Sequence, residues 1–312
     1  MSAIERFVSK FAHLHVDRSK GFPAPHKPIL LLSIISEIEI GNIGENRIYI
    51  TPELVARFKD YWSQLVHNPT FTANFSLPFY HLKSEGFWFL NTCIGKELIL
   101  TSSYSIKSFG QLKDVIDFAS LDELLYQLLN NNPTREILRN TLLEVYFSGS
   151  DLSEKNNTMI EISSQILNDP PEIYKDRAEQ FDEEDVFVRG GIFKKEIPRI
   201  YNYTCCISGM RIIAGDSIQM IDACHIIPFS ESHDDTICNG ISLCPNLHRA
   251  FDRHLITIDE NYKVVVKPFR EDNSCYSIKQ FDGKEILLPE NTNHYPSQPN
   301  LSKHWTRFNN RK

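Results

Sequence analysis

Asp222-Ala-Cys-His225-Ile-Ile-Pro228, followed by Asn239-Gly-Ile-Ser-Leu-Cys244 and then Pro245-Asn-Leu-His248-Arg-Ala-Phe-Asp252, decides how this chain is read. From Gln219 to Ile226 the residues favour a strand that stops before Pro228. Asn239-Gly240 reads as a turn, Ile241 to Cys244 as a returning strand, and Pro245 as the start of a short helix through Asp252. On that helix His248 and Asp252 are four residues apart and leave the same face, a spacing that lets both reach one metal ion. Alternation along the first strand puts Asp222 and Cys224 on one face and His225 on the other. Asp222 therefore reaches such an ion only through a twist, a bulge or an indirect contact.

Upstream, Ile4, Phe7, Val8 and Phe11 recur at helical spacing, and Pro28 opens a second apolar stretch, Ile29 to Ile38, that ends near Gly41. Thr51-Pro52 supplies a cap and a first-turn proline to a third helix carrying Leu54, Phe58, Tyr61, Trp62 and Leu65 on one face. Phe87 to Leu90 and Glu97 to Thr101 are short β-favouring runs on either side of Gly95, and Ser120 with Glu123 forms a capping-box pattern before Leu124, Leu125 and Leu128. Residues 1–150 read as one mixed α/β domain. Residues 151–188 hold Asn168-Asp-Pro-Pro171 and the run Asp182-Glu-Glu-Asp185, and read as an acidic linker with solvated charges. Residues 189–312 form the second domain, so the class is α+β with two domains.

A chain of 312 residues exceeds the size at which one core stops growing. Hydrophobic content of 41% and charged content of 23% exclude a disordered chain, and no apolar run reaches the roughly 18 residues that span a bilayer. The first residues carry no export pattern, so a soluble, cytoplasmic protein without a membrane partner is expected. The net charge of −7 argues at first against nucleic acid, yet residues 151–190 alone carry eleven acids and four bases, leaving the remainder neutral as a whole. Seven scattered cysteines, with Cys205 and Cys206 adjacent, suit reduced thiols.

Across roughly residues 189–265 the three opening segments resemble the HNH, or ββα-metal, nucleases. The resemblance implies a DNA endonuclease in which His225 activates the attacking water, Asn239 orients that part of the site, and His248 completes the catalytic set. Histidine as a residue type accepts protons at cellular pH, which suits the first role. It also implies one divalent ion on His248 and Asp252, with Asp222 as a further candidate; Mg²⁺ is the expected ion, with Mn²⁺, Co²⁺ or Ni²⁺ as substitutes and Zn²⁺ left open. Cys224 stands where many relatives place Asp or His. Some relatives carry two Cys-x-x-Cys pairs, but here Cys206 is followed three on by Gly209 and Cys244 by Leu247, so no structural zinc is expected.

Over about residues 5–105, the stretch Phe22-Pro-Ala-Pro-His26-Lys27-Pro28 with Leu77-Pro78-Phe79-Tyr80-His81-Leu82 and Gly86-Phe-Trp88 resembles the sulfur-binding domain of McrA-type modification-dependent restriction enzymes. What this implies is a partner, phosphorothioated double-stranded DNA. Its sulfur would meet an apolar dimple formed by Leu77, Pro78, Phe79, Tyr80 and His81, and its phosphate would meet His26 and Lys27 at a helix start. Relatives often carry Arg and Tyr where Lys27 and Leu77 stand, and a small residue at His81. A reader of methylated or hydroxymethylated cytosine, or a non-cleaving DNA-binding regulator, are the alternatives. One HNH site cuts one strand, so a homodimer is expected for a double-strand break.

Overall fold

Ile29, Leu30, Leu31, Leu32, Ile34 and Ile35 are apolar in every direction around a helix, so that helix has no face to give to water and must sit at the centre of its domain. It does so as α2 (His26–Glu39), in the computed structural model that describes residues 2–97, 106, 108–148, 157–214, 218–271 and 275–310. The chain folds into two units, one of residues 1–159 with 183–188 and the other of 160–182 with 189–312.

In the first unit α1 (Ala3–Ala12) starts at a capping box, Ser2 with Glu5, and buries Phe7 and Phe11. After α2, strand β1 (Ile48–Tyr49) leads to α3 (Pro52–Leu65), where the Thr51 side chain accepts from Leu54 N as the sequence predicts. Helix α4 (Ser76–His81) precedes β2 (Trp88–Thr92); α5 (Phe109–Val115), β3 (Ile116–Leu121), α6 (Glu123–Asn130) and α7 (Asn132–Tyr146) follow. The sheet is antiparallel in the order β1-β3-β2. Pairing of β3 with β2 extends to Leu121, so Ser120 is a strand residue and Asp122 caps α6 instead of the expected Ser120. Of the second predicted strand, Leu98 to Thr101 lie outside the described residues.

The described part of the acidic stretch, residues 157–188, is helical and partly packed, although Glu161, Glu172, Asp176, Glu179, Asp182 and Glu183 are exposed as expected. Ile162 and Ile166, and again Tyr174 and Ala178, lie four apart and are buried on α8 (Thr158–Asn168) and α9 (Pro171–Ala178). The acids of the Asp182–Asp185 run are also engaged: Glu183 accepts from Gly110 N, the buried Glu184 from Phe75 N, and Asp185 from Lys59. Helix α10 (Glu183–Ile200) begins with these residues.

The second unit continues with the hairpins β4 (Ile213–Ala214) to β5 (Ile218–Gln219) and β6 (Asp222–His225) to β7 (Gly240–Leu243), with the short α11 (Phe229–Ser232) between the last two strands. Helix α12 (Pro245–Asp252), the hairpin β8 (Ile256–Ile258) to β9 (Val264–Val266) and α13 (Gln298–Asn310) complete it. The strand, strand, helix order of the quoted stretch is thus present. His304 pins α13 here. Its ring stacks on Phe251 at 3.7 Å, its Nε2 donates to Phe251 O at 3.2 Å, and its Nδ1 accepts from Thr257 at 2.8 Å. Burial, reinforced by His254, lowers this ring from 6.5 to about 3, so it is neutral. Among the described residues no helix is long and apolar enough to cross a membrane.

Candidate active site

Helical spacing brings His248 and Asp252 over the face of β6 that carries Asp222 and Cys224, and the side chains meet there. Asp222 Oδ2 lies 3.1 Å from His248 Nδ1. A carboxylate can only accept, so Nδ1 carries a proton, and in the neutral ring Nε2 then presents a lone pair. That lone pair faces Asp252 Oδ2 across 3.5 Å, and Asp252 Oδ1 is 3.9 Å from Cys224 Sγ. Single donor atoms of Cys224, His248 and Asp252 all lie within 4.8 Å of one another. Three protein donors of this type with exposed space above them fit a divalent ion with positions left for water or substrate. Asp222 touches the back of the histidine ring, so its contribution is indirect. Burial first, and then Asp252, push the Cys224 thiol well above its ordinary range.

His225 belongs to a second cluster, on the other face of β6. Its Nε2 donates to Asp235 Oδ1 at 2.8 Å, and its ring stacks on Phe193 of α10 at 3.9 Å, nearly parallel. Asp235 is almost wholly buried, and its other oxygen has no hydrogen-bond partner among the described residues. Gly240 pairs with His225 across the hairpin with φ −128°, extended rather than turn geometry. The expectation that Asn239-Gly240 forms a turn is therefore corrected. Glycine is needed because a Cβ there would collide with Ile197 and approach Phe193 Cζ to 2.8 Å, the ring that stacks on His225. Asn239 is fully buried and satisfied: Oδ1 accepts from Ile227 N and Asn300, and Nδ2 donates to Ile227 O and Asp234 O. It holds the loop between His225 and Asp235 in shape. The structure thus unites His248, Asp252 and Asp222, sets His225 with Asp235 on the other face of β6, and keeps the Asn239 side chain apart as a brace of the loop between them.

In the first unit a cavity of about 490 Å³ is lined by His26, Lys27, Leu77, Pro78 and His81. Phe79 and Tyr80 are not part of its wall. On α4 they turn into the core, where Phe79 packs edge-on against Trp88. Lys27 lines the cavity but is no free cation: its three N–H groups go to His15 O, Ser84 Oγ and the buried Glu85 carboxylate. His26 donates Nε2–H to Thr72 O and packs beside Trp62 and Phe71. Burial holds His26 and His81 below the ordinary histidine range. Lys20 also lines the cavity, its ammonium 5.3 Å over the Phe71 ring and bonded to Thr70 O.

Residues 205–259 match the family described as HNH endonuclease, and residues 4–155 match the ScoMcrA-like DNA sulfur-binding domain. The chain joins an HNH nuclease domain to a sulfur-binding domain. HNH nuclease domains generally use a divalent metal ion, which agrees with the donor set above. No curated protein matches the chain. Similar solved structures include the modification-dependent TagI restriction endonuclease (22% identity, TM-score 0.28), over 37% of this chain and 36% of that one. The sulfur-binding domain of SprMcrA, complexed with phosphorothioated DNA, is similar at 18% identity and TM-score 0.37, covering 48% and 89%. The type IV phosphorothioation-dependent restriction endonuclease ScoMcrA is similar at 10% identity and TM-score 0.33, covering 78% and 94%. This chain spans about a third of the TagI chain.

Within the HNH domain the cysteines are all free, and Cys205 lies beside Cys244. Hydrogen bonding between the two draws the Cys205 thiol below its ordinary range and raises Cys244. The Cys-x-x-Cys pattern points to Cys206; the thiol that meets Cys244 is its neighbour. Sequence reasoning misses Asp235 and Phe193 altogether. Only the fold returns Asp235 to His225, although a buried-type Asp-Asp-Thr sequence ten residues after a candidate base is a usable signal.

Proposed function

We propose that this protein is a type IV-like restriction endonuclease that binds phosphorothioate-modified DNA through its first domain and hydrolyses nearby phosphodiester bonds through a single-metal HNH site. The observation that carries the reading is the pair of clusters on the two faces of β6, an oriented histidine on one and a convergent donor set on the other.

In this reading His225 takes a proton from the attacking water at Nδ1, because Nε2–H is donated to Asp235. Phe193 and Asp235 fix the ring, so little orientation has to be found during reaction. Asn239 keeps the intervening loop in place. His248 and Asp252 hold the ion, and Asp222 sets the His248 tautomer and ring direction. When bound, the ion stabilises charge on the phosphoryl oxygens and the leaving oxygen.

Exchanging a non-bridging phosphate oxygen for sulfur keeps the charge but presents a larger, softer and less hydrated atom. Leu77, Pro78 and Phe71 provide an apolar wall for it, and neutral His26 and His81 avoid holding water there by charge. With Lys27 engaged internally, Lys20 and the amide groups opening α2 are the phosphate contacts. Two protomers, or two binding events, are required for a double-strand break.

The test uses matched plasmids, phosphorothioated, cytosine-methylated or bare, incubated with the protein and a divalent ion. Cleavage confined to the phosphorothioated plasmid is expected. Equal cleavage of all three removes the sulfur reader, and preference for the methylated plasmid transfers the first domain to a base mark. Specific binding without any nicking removes the nuclease assignment.

A further inference from the structure

The donor set on β6 and α12 contains a sulfur. We infer that Cys224 is a direct ligand of the metal ion, giving the site one nitrogen, one oxygen and one sulfur donor that select a thiophilic divalent ion over Mg²⁺. Three observations converge. Alternation along β6 turns Cys224 to the same face as Asp222, under α12. Its sulfur is fully buried, so it forms the floor of the site whose rim is the exposed Asp252 and the half-buried His248. Finally, Sγ, a His248 ring nitrogen and an Asp252 oxygen lie within 4.8 Å of one another, while Asp222 occupies His248 from behind and leaves Nε2 for the ion.

Mg²⁺ prefers oxygen donors in a strict octahedron and keeps its waters, whereas thiolate and imidazole suit Zn²⁺, Co²⁺ and their soft relatives. This proposal departs from the Mg²⁺ expectation drawn from the sequence. As the ion binds, the Cys224 S–H bond breaks, its proton passes to solvent, and the sulfur electron pair forms the metal bond. Use of the ion in cleavage rests on the nuclease reading; its capture by Cys224 does not.

The full chain, stripped by chelator, is titrated with Co²⁺ in the absence of DNA and followed by absorption. The wild-type chain shows a near-ultraviolet sulfur-to-cobalt charge-transfer band that Cys224→Ser abolishes, with Co²⁺ affinity falling roughly 100-fold. A Cys205→Ser/Cys244→Ser variant keeps the band, which excludes that thiol pair as its source. A large excess of Mg²⁺ leaves the band in place, and Cys224→Asp, whose carboxylate suits a hard ion, gains Mg²⁺ binding. The proposal is overturned by Co²⁺ binding without the band, by a band that survives Cys224→Ser, or by displacement with Mg²⁺ at equal concentration. If Cys224→Ser fails to fold by circular dichroism, Cys224→Asp decides: retention of the band overturns the proposal and its loss supports it. A wild-type chain that shows the band but never nicks DNA refutes the nuclease reading and leaves the ligand set standing.

Discussion

Two regions of the molecule handle polar side chains in opposite ways. At the junction of β6 and α12, His248 Nε2 stands 3.5 Å from Asp252 Oδ2, beyond ordinary hydrogen-bond length, and the Asp252 side chain is 59% exposed. In the cavity of the first domain Lys27 has an acceptor for every N–H, and Glu85, 3% exposed, takes bonds from Lys27, the His15 ring and His15 N. The first arrangement leaves its donor atoms turned to open space, and the second is complete in itself. Residue type alone does not separate a working group from a wall. What separates them is whether the protein has already satisfied the group.

The largest expected effect lies on the nuclease side. His225→Ala should slow cleavage by roughly 10²–10⁴-fold while leaving binding of phosphorothioated DNA intact in a mobility-shift assay. Weakened binding would show that the two regions are not separable functions. Lys27→Met is the counterpart. It leaves the Glu85 carboxylate buried without its cation, a change that typically costs about 3–5 kcal/mol, to be read by denaturant unfolding. A stable variant that loses DNA affinity and part of its salt dependence would make Lys27 a phosphate contact after all, and the contrast would collapse.

His304 tests the packing of α13 on α12. Its pKa is lower in the folded chain than the ordinary 6.5, so the fold favours the neutral ring. The associated stability is present above pH 6.5 and is lost as pH falls toward about 3, when the unfolded chain takes up a proton that the folded chain refuses. The loss should be on the order of 3 kcal/mol, and His304→Asn should flatten the fall in melting temperature between pH 6.5 and 4. An unchanged profile would remove this account. Asp222→Asn should have the smallest effect, weakening metal affinity by roughly 10–100-fold in a calorimetric titration. An Asp222→Asn chain that binds metal normally would leave His248 oriented by something else.

Legibility in the sequence follows distance along the chain. The helix carrying His248 and Asp252 is plain because Pro245 starts it and the two residues are four apart. The side of β6 on which Asp222 falls is readable from alternation alone. Lys27 is open to misreading because its partner Glu85 is 58 residues away, and no local pattern marks a lysine as already paired. Phe79 and Tyr80 do not belong to the dimple that the motif suggests, and helical spacing already sets Leu77 and His81 on one face and Phe75 with Phe79 on another. The acid count of the expected linker hides the four-residue spacing of Ile162 and Ile166.

Asn239 and Gly240 also give the folded domain a shelf life. In a flexible chain an Asn-Gly pair is among the quickest sequences to cyclise through the glycine amide, losing ammonia, and to open with water as isoaspartate or aspartate, and asparagine is a recognised thermolabile residue. Here the side-chain amide is buried with both ends bonded, and Gly240 is held in the hairpin opposite His225, so the ring cannot close while the domain stays folded. Each excursion to the unfolded state exposes the pair to an irreversible chemical edit in the strand register opposite His225. Heat inactivation should therefore leave a permanent residue-level scar, visible in a peptide map as acid in place of amide at position 239, and ageing of the enzyme becomes a record of how often it has come apart.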